Sequence, residues 1–326
     1  MRIIVITQGN LDLIDNLLQT NNSVVGIVQA APRKQQSKII EHFKKSIATI
    51  YYLLKPLPKK TMIDYAKSKD IPYYYLDKGD THRAEEWFRN LNPDIIVVSS
   101  MSHLLKKNII NIPKHGVINY HHSYLPDYRG PNPLFWMYYD YVLDPGVTVH
   151  YIDVGEDTGD IIYQGRVAID AGEPLTSCLK KSDELGHRLL SKAIEEIQHG
   201  KAPRITQPTK SDTVRARNIE PKEYRDLIDW KEWDVQRIWH FLRGTPRYST
   251  QLLDCNDIIK LGYSVKIESF SRCDRTDAPL GHIVSDNGES YIPCINGKIC
   301  VKVKFNSLCE TLPSLLKYFS FQLLKL

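Results

Sequence analysis

An amide and an imidazole two residues apart are the first side chains in this sequence that could do chemistry together. Asn119 and His121 lie in and just after an apolar run that begins at Gly116. Side chains two residues apart leave the same face of an extended strand. A carboxamide can donate a hydrogen bond to a developing oxyanion, and an imidazole can exchange a proton near neutral pH. The pair therefore predicts a site rather than part of a core.

A carboxylate in a later loop could complete this arrangement. Asp157 lies in the glycine-flanked sequence DVGEDTGD, after the next apolar strand. It could orient the imidazole of His121 or stabilise its positive charge. A single histidine beside a strand is more often a surface or core residue, and Asp-Thr-Gly often marks only a turn. Such roles do not explain why both segments occur in this order, and the three residue types together suit acyl transfer to an amine.

The two segments INYHHSYLPDYRG and DVGEDTGD resemble the signature of the formyltransferases that use 10-formyltetrahydrofolate. This family includes methionyl-tRNA formyltransferase and the sugar-nucleotide N-formyltransferases. The resemblance implies a catalytic trio: Asn119 donates to the oxyanion of the tetrahedral intermediate, His121 relays the proton of the amine, and Asp157 orients the imidazole. The residue after the catalytic histidine is usually small in this family, whereas here it is His122.

The same resemblance implies 10-formyltetrahydrofolate as the formyl donor, tetrahydrofolate as its product, and no metal. In this family, the segment equivalent to residues 100–105 and the backbone of residues 152–157 line the pterin pocket. The expected cofactor-binding residues are therefore Met101, Ser102, Leu104, Ile152, Val154 and Asp157. A dinucleotide is not expected, because the first strand is followed only by QGN and not by GxGxxG.

Alternating strand and helix patterns predict a doubly wound, mostly parallel, Rossmann-like α/β sheet for residues 1–205, the formyltransferase fold. Ligands of such sheets bind beyond the carboxyl ends of the strands. The predicted strands cover residues 2–7, 23–29, 71–76, 94–99, 116–119, 146–153 and 161–168. The predicted helices cover residues 11–21, 31–57, 59–69, 131–143 and 175–199, and a further helix, capped by Thr81, carries residues 84–91.

Residues 206–326 are predicted to form a linker, a helix and a small β-rich domain. The boundary follows from the polar, proline-containing stretch around residues 200–212. The helix at 229–244 resembles the one that starts the family's carboxyl-terminal domain, an open small barrel. Strands are predicted at 264–270, 280–284, 290–295 and 299–305. The apolar tail at 312–326 could dock on this domain or on a second subunit, so a homodimer is possible.

The composition sets few limits on function. The formal net charge is +5, without a block of five or six like charges, so RNA binding is neither required nor excluded. Six cysteines form no CxxC pair and have no histidine at metal spacing, so reduced thiols are expected. No run of about eighteen apolar residues and no signal peptide is present, so a soluble, cytoplasmic protein without a membrane partner is expected.

The identity of the acceptor amine is the property that the sequence predicts least directly. The region after the second strand is basic but lacks the glycines that tRNA-formylating enzymes share there, so nucleic acid is not the expected partner. The segment RGPNPLFW looks more like the branch that formylates a dTDP-, UDP- or GDP-linked amino sugar for lipopolysaccharide O-antigen or another surface glycan. The candidate substrate contacts are Asn10, Arg129, Asn132 and Trp136. A methionyl-tRNA formyltransferase, a formyltetrahydrofolate hydrolase and a non-catalytic binding module remain alternatives.

Overall fold

Seven strands form one sheet near the start of the chain, in a computed structural model that describes residues 1–32, 61–77, 79–80, 82–101, 103–246, 263–273 and 278–305. The strands are β1 (Arg2–Thr7), β2 (Ser23–Ala30), β3 (Tyr73–Leu76), β4 (Ile95–Ser99), β5 (Val117–His121), β6 (Gly146–Tyr151) and β7 (Ile161–Arg166). Their spatial order is β3-β2-β1-β4-β5-β6-β7. The first five are parallel, and β6 and β7 are antiparallel. The predicted mostly parallel sheet is confirmed.

Both faces of this sheet are buried, which explains its unbroken apolar strands. In β1, Ile3 and Val5 join one core cluster, whereas Ile4 and Ile6 join the other. All four side chains are fully buried. Helices add residues to both clusters: α1 (Leu11–Leu18), α2 (Met62–Ser68) and α6 (Leu175–Gln198) contribute to the first, and α3 (His82–Leu91) and α4 (Lys107–Ile110) contribute to the second. Helix α5 (Pro133–Tyr139) lies between α4 and α6 in the chain.

Several elements are shorter than predicted, because backbone turns delay their start or end them early. Ile71 donates its N–H to Ala66 and so belongs to the turn that ends α2, which delays β3 to Tyr73. Helix α5 stops at Tyr139 because Tyr141 has a positive φ of 61°. The predicted helix at 31–57 and the apolar tail at 312–326 lie outside the described residues.

Contacts between Cα atoms divide the chain into two units. The first comprises Met1–Pro133, Gly146–Val167 and Ser182–Ala216. The second comprises Leu134–Pro145, Ala168–Lys181 and the chain from Arg217 onward. Residues 206–216, predicted as part of the second domain, thus cluster with the first unit, and two earlier segments cluster with the second.

The second unit contains a four-stranded antiparallel sheet in the order β8-β11-β10-β9. Its strands are β8 (Tyr263–Arg272), β9 (Val284–Asp286), β10 (Glu289–Cys294) and β11 (Gly297–Phe305). The turn between β9 and β10 has positive φ at Asn287 and Gly288, as a type I′ hairpin requires. The strand predicted at 280–284 is wrong except for its last residue, because Gly281 adopts a φ of 79° and donates to Pro293.

Helix α7 (Val235–Gly244) packs in the second unit and begins later than the predicted residue 229. Asp234 caps it by accepting a hydrogen bond from the N–H of Gln236, whereas Asp229 makes a separate turn. A short 3₁₀ helix, Pro221–Asp226, precedes it. Within the described ranges, no helix is both long and apolar enough to cross a membrane.

His240 is a fully buried polar side chain of α7. Its ring stacks on Tyr138, with centroids 4.7 Å apart, and its Nδ1 accepts a hydrogen bond from the N–H of Gly172 at 2.9 Å. No described residue pairs with its Nε2. Burial lowers the pKa of His240 to about 4. Between this pKa and the ordinary one, the imidazole is neutral in the folded protein and protonated in the unfolded chain.

This difference predicts a loss of stability in mild acid. In the unfolded chain, His240 binds a proton below the ordinary histidine pKa near 6.5. This one residue should therefore lower the free energy of unfolding by about 2 kcal/mol between pH 7 and pH 5. Urea unfolding of the wild type and of His240→Gln at both pH values measures this cost. A pH dependence that is equal in the two proteins would contradict the expectation.

Candidate active site

The predicted catalytic trio lies in one cavity at the carboxyl ends of β4 and β5. Asn119, His121 and Asp157 all line it. The cavity measures about 180 Å³, whereas a single water needs only about 10–15 Å³ by the same measure. It can therefore hold a chemical group of ring size. Its position is where a parallel sheet is expected to bind a ligand.

Strand β5 presents Asn119 and His121 from a fixed backbone. It is bonded to parallel β4 on one side and to antiparallel β6 on the other. Asn119 is 9% exposed and His121 is 8% exposed, although both are polar. Polar groups that are this buried and that line a cavity need hydrogen-bond partners, which fix their orientation.

The partner of Asn119 is His150, which faces it across the β5–β6 register. Asn119 Nδ2 lies 3.1 Å from His150 Nε2, and His150 Nδ1 lies 2.8 Å from the carbonyl oxygen of Tyr151. Because a carbonyl only accepts, His150 carries its hydrogen on Nδ1 and accepts the Asn119 amide on Nε2. This fixes the Asn119 NH₂ toward the cavity wall and leaves its second hydrogen for another acceptor.

Electrostatics support this assignment for His150. Burial lowers the pKa of His150, while the nearby Asp157 carboxylate opposes that shift. The side chain is 1% exposed. His150 therefore remains neutral, and it serves Asn119 as a hydrogen-bond acceptor.

His121 and Asp157 form the second part of the site. His121 Nε2 lies 3.2 Å from the carbonyl oxygen of Tyr128, so Nε2 carries the hydrogen and Nδ1 is left unprotonated in the neutral ring. Nδ1 lies 3.8 Å from Asp157 Oδ1. A proton taken up at Nδ1 would place the positive imidazolium beside a carboxylate, which stabilises it.

The Asp157 loop is held in an uncommon backbone conformation. Asp157 has a positive φ of 54°. Its Oδ2 accepts the N–H of Gly130 at 2.9 Å, and its carbonyl accepts Nε2 of Gln207 at 3.0 Å. A Cβ at Gly159 would lie 1.9 Å from the carbonyl oxygen of Tyr151, so only glycine fits there. The loop thus presents the carboxylate from a constrained position.

His150 is the residue of this site that the sequence did not single out. The sequence GVTVHY has the pattern of an ordinary, mostly apolar strand. A single histidine in such a strand is more often structural than functional. Only the pairing of β5 with β6 brings it opposite Asn119. A buried histidine in a strand antiparallel to the catalytic strand is the signal that could have identified it.

The predicted cofactor-binding residues lie around the same cavity. Met101, Leu104, Ile152 and Asp157 line it, and Val154 lies between two lining residues. Leu104 is 56% exposed and Val154 is 68% exposed, which is unusual for large apolar side chains. Ser102 lies outside the described residues. Among the residues described, no group of three or more His, Cys, Asp and Glu could hold a metal ion.

The four predicted substrate contacts are not among the cavity-lining residues. Asn10 caps α1 and donates to the Tyr120 hydroxyl at 2.7 Å. The Arg129 guanidinium is bonded to Gln207 and to carbonyls of residues 208 and 209. The backbone of Asn132 donates to Ala216, and Trp136 Nε1 donates to the carbonyl of Arg217 at 2.8 Å. Each therefore has a structural partner, and substrate contact remains a prediction for all four.

A mostly parallel sheet that carries an amide, an imidazole and a carboxylate in one cavity has the chemical groups that acyl transfer uses. Residues 1–194 match the model of the formyl transferase family. The chain therefore belongs to this family, as its motifs predicted.

Curated relatives add information about sequence. The methionyl-tRNA formyltransferase of Citrifermentans bemidjiense (strain ATCC BAA-1014 / DSM 16622 / JCM 12645 / Bem) is 34% identical over 192 residues, which cover 59% of this chain and 58% of the relative. The chain thus spans little more than half of that relative's length. The methionyl-tRNA formyltransferase of Pelobacter propionicus (strain DSM 2379 / NBRC 103807 / OttBd1) is 28% identical over 249 residues, 76% of this chain and 74% of the relative.

Solved structures add information about the fold. WlaRD, a sugar 3N-formyl transferase studied with dTDP and 5-N-formyl-THF, has a TM-score of 0.60 at 17% identity and covers 94% of this chain and 99% of its own. The N-formyltransferase of Helicobacter canadensis, in complex with folinic acid and dTDP-3-aminofucose, has a TM-score of 0.60 at 17% identity. This match covers 93% of this chain and 100% of the other.

Two substitutions test the prediction that Asn119 donates to the oxyanion. Asn119→Ala should lower kcat for formyl transfer about 100- to 1000-fold, the usual cost of losing one such donor. Asn119→Asp has nearly the same size but cannot donate when ionised and adds negative charge, so it should lose at least as much. Steady-state kinetics with thermal unfolding as the control measure both, and near-normal kcat in Asn119→Asp would contradict the assignment.

Proposed function

We propose that this chain transfers a formyl group from 10-formyltetrahydrofolate to the amine of a nucleotide-linked amino sugar. The observation that carries the proposal is the convergence of Asn119, His121 and Asp157 on one cavity, each with a fixed orientation. An amide donor, an unprotonated imidazole nitrogen and a nearby carboxylate are the groups that acyl transfer to an amine requires.

The cavity suits a folate in the chemistry of its wall. Apolar side chains such as Val98, Met101, Leu105 and Ile152 line it together with carboxylates and imidazoles. The exposed apolar side chains of Leu104 and Val154 would lose contact with water beneath a flat ring. Met101, Leu104 and the 152–157 loop are therefore the residues that would hold the cofactor, whose bound form supplies an activated formyl carbonyl.

The side chains of the trio then have distinct tasks. The free amide hydrogen of Asn119 donates to the oxygen on which negative charge develops. His121 takes a proton at Nδ1 and later returns it, because its Nε2 is committed to Tyr128. Asp157, 3.8 Å away, stabilises the imidazolium while that proton is held.

The choice of a sugar nucleotide rests on the extent of the structural likeness. The two sugar-formylating enzymes share this fold over nearly the whole of both chains, whereas the two methionyl-tRNA formyltransferases match over 58% and 74% of their own lengths. The segment at residues 129–136 supports the same choice by its resemblance to that branch. A formylated amino sugar of this kind would serve a surface glycan such as lipopolysaccharide O-antigen.

Methionyl-tRNA is the second candidate acceptor. It is favoured by the names of the curated relatives, which reach 35% identity to this chain. Binding of tRNA depends on phosphate contacts and weakens steeply with salt. The two acceptors can therefore be separated by salt dependence as well as by turnover.

The proposal is tested by a panel of acceptors. Release of tetrahydrofolate from 10-formyltetrahydrofolate is followed by absorbance with dTDP-, UDP- and GDP-linked amino sugars, with charged initiator tRNA and without an acceptor. We expect turnover with at least one sugar nucleotide, loss of that turnover in His121→Ala, and little sensitivity to salt between 50 and 200 mM, a range over which binding to many phosphates typically falls about 1000-fold or more.

The other outcomes identify the alternatives. Turnover with tRNA alone would replace the acceptor and keep the roles of the trio. Equal release of tetrahydrofolate with and without an acceptor would indicate a hydrolase. Absence of turnover under all conditions would contradict an enzymatic role.

A further inference from the structure

A second histidine–carboxylate pair reaches the same cavity through its histidine. His122 follows His121 and lines the cavity. Its Nε2 lies 2.9 Å from Oδ1 of Asp183 on helix α6. The two side chains are 17% and 27% exposed, so the pair is partly shielded from solvent. The catalytic trio uses neither residue.

The hydrogen bonds of Asp183 fix the state of His122. Burial opposes ionisation of Asp183, but hydrogen bonds from His122 and Tyr120 hold the pKa of Asp183 below its usual value. The Tyr120 hydroxyl donates to Oδ1 at 2.7 Å. An ionised carboxylate only accepts, so His122 carries its hydrogen on Nε2 and has a lone pair on Nδ1. Among the described residues, no hydrogen bond to this Nδ1 is seen.

Asp183 is the main negative charge beside His122, because the neighbouring side chains are neutral. Burial raises the pKa of Tyr120 and lowers the pKa of His187, so both stay neutral near pH 7. Asp12 of α1 lies near His187. The other titratable groups that line the cavity are His103, His121, His150, Asp153, Glu156 and Asp157.

A close approach of α6 to β5 holds the pair in place. A Cβ at Gly186 would lie 2.7 Å from Cδ2 of Tyr120, so glycine allows the helix to pack against this ring. Asp183 lies three residues before Gly186 and thus on the same face of the helix. The short carboxylate therefore reaches His122 from a rigid element.

The proton balance of the proposed reaction needs two acceptors. An amine at neutral pH enters as R–NH₃⁺ and leaves as R–NH–CHO, so its nitrogen loses two protons. One proton ends on the nitrogen that leaves the formyl group, and the other ends in solvent. The ammonium must lose the solvent-bound proton before it can attack. If His121 took that proton, its protonated imidazole could not then accept the second proton from the tetrahedral adduct and pass it to the leaving nitrogen.

We propose that His122 accepts the ammonium proton at Nδ1, which frees the neutral amine to attack, and then passes that proton to solvent. His122 is thus a catalytic residue, and Asp183 is a positioning residue that fixes its tautomer and stabilises the imidazolium. The inference rests on the proposed function, because it requires an amine acceptor.

Two variants and one control test this role with the amine that the wild type formylates. His122→Asn should lower kcat/KM roughly 100-fold at pH 7, within the usual range for general bases. The difference in kcat/KM between this variant and the wild type should shrink as pH rises past the pKa of the substrate amine, because the amine then binds in its neutral form. His187→Asn removes a histidine of the same network that does not line the cavity, and it should keep the wild-type pH profile.

Two further measurements do not depend on the Asn variant. His122→Gly should regain activity when imidazole is added, because the base can diffuse into the vacated space. In the ligand-free protein, ¹⁵N NMR should show the Nε2–H tautomer of His122 in the wild type and a mixture of tautomers in Asp183→Asn.

The outcomes separate this inference from the proposed function. A deficit that does not vary with pH, absence of imidazole rescue, or an unchanged tautomer in Asp183→Asn would overturn the role of His122 while the wild type still formylates its amine. A wild type that formylates no amine would overturn the proposed function, and the role of His122 with it.

Discussion

The candidate active site depends on the antiparallel register between β5 and β6. This register places His150 opposite Asn119 and so gives the buried amide an acceptor. A shift of β6 by one residue would turn His150 to the opposite face of the sheet, away from Asn119. The three strands that follow one another here, β4, β5 and β6, also mark the change from parallel to antiparallel pairing. The site is therefore built where the sheet changes its pairing pattern.

Three of the four described histidines that line the cavity have different hydrogen-bond partners, which give them different properties. His150 donates to a carbonyl and is buried, so it stays neutral and accepts from Asn119. His121 also donates to a carbonyl, but its other nitrogen faces Asp157. His122 donates to a carboxylate. The same side chain can thus act as a fixed acceptor, or be placed to exchange protons, according to what its second nitrogen contacts.

Much of this could be predicted from the sequence, because local patterns carry it. Asn119 and His121 are two residues apart in a strand, and strand periodicity alone places them on one face. Asp157 follows from its glycine-flanked loop. The alternation of strands and helices likewise indicates a mostly parallel sheet.

The parts that could not be predicted depend on contacts between distant residues or on backbone angles that the apolar pattern does not encode. His150 is 31 residues from Asn119, and only strand pairing brings them together. The end of α5 depends on the backbone of Tyr141, which no apolar pattern reveals. The side chain of Asn10 is of a type that often binds ligands, yet in this structure it caps a helix and donates a hydrogen bond to Tyr120.

Gly186 has a consequence for how such enzymes diverge. Its missing side chain sets the spacing between α6 and the ring of Tyr120, and that spacing lets a carboxylate as short as aspartate reach His122. A larger residue at 186 would push the helix outward, and only a longer acid at 183 could then span the gap. Positions 122, 183 and 186 should therefore change together among related sequences, as one inherited unit that lies partly on an outer helix rather than in the catalytic strand.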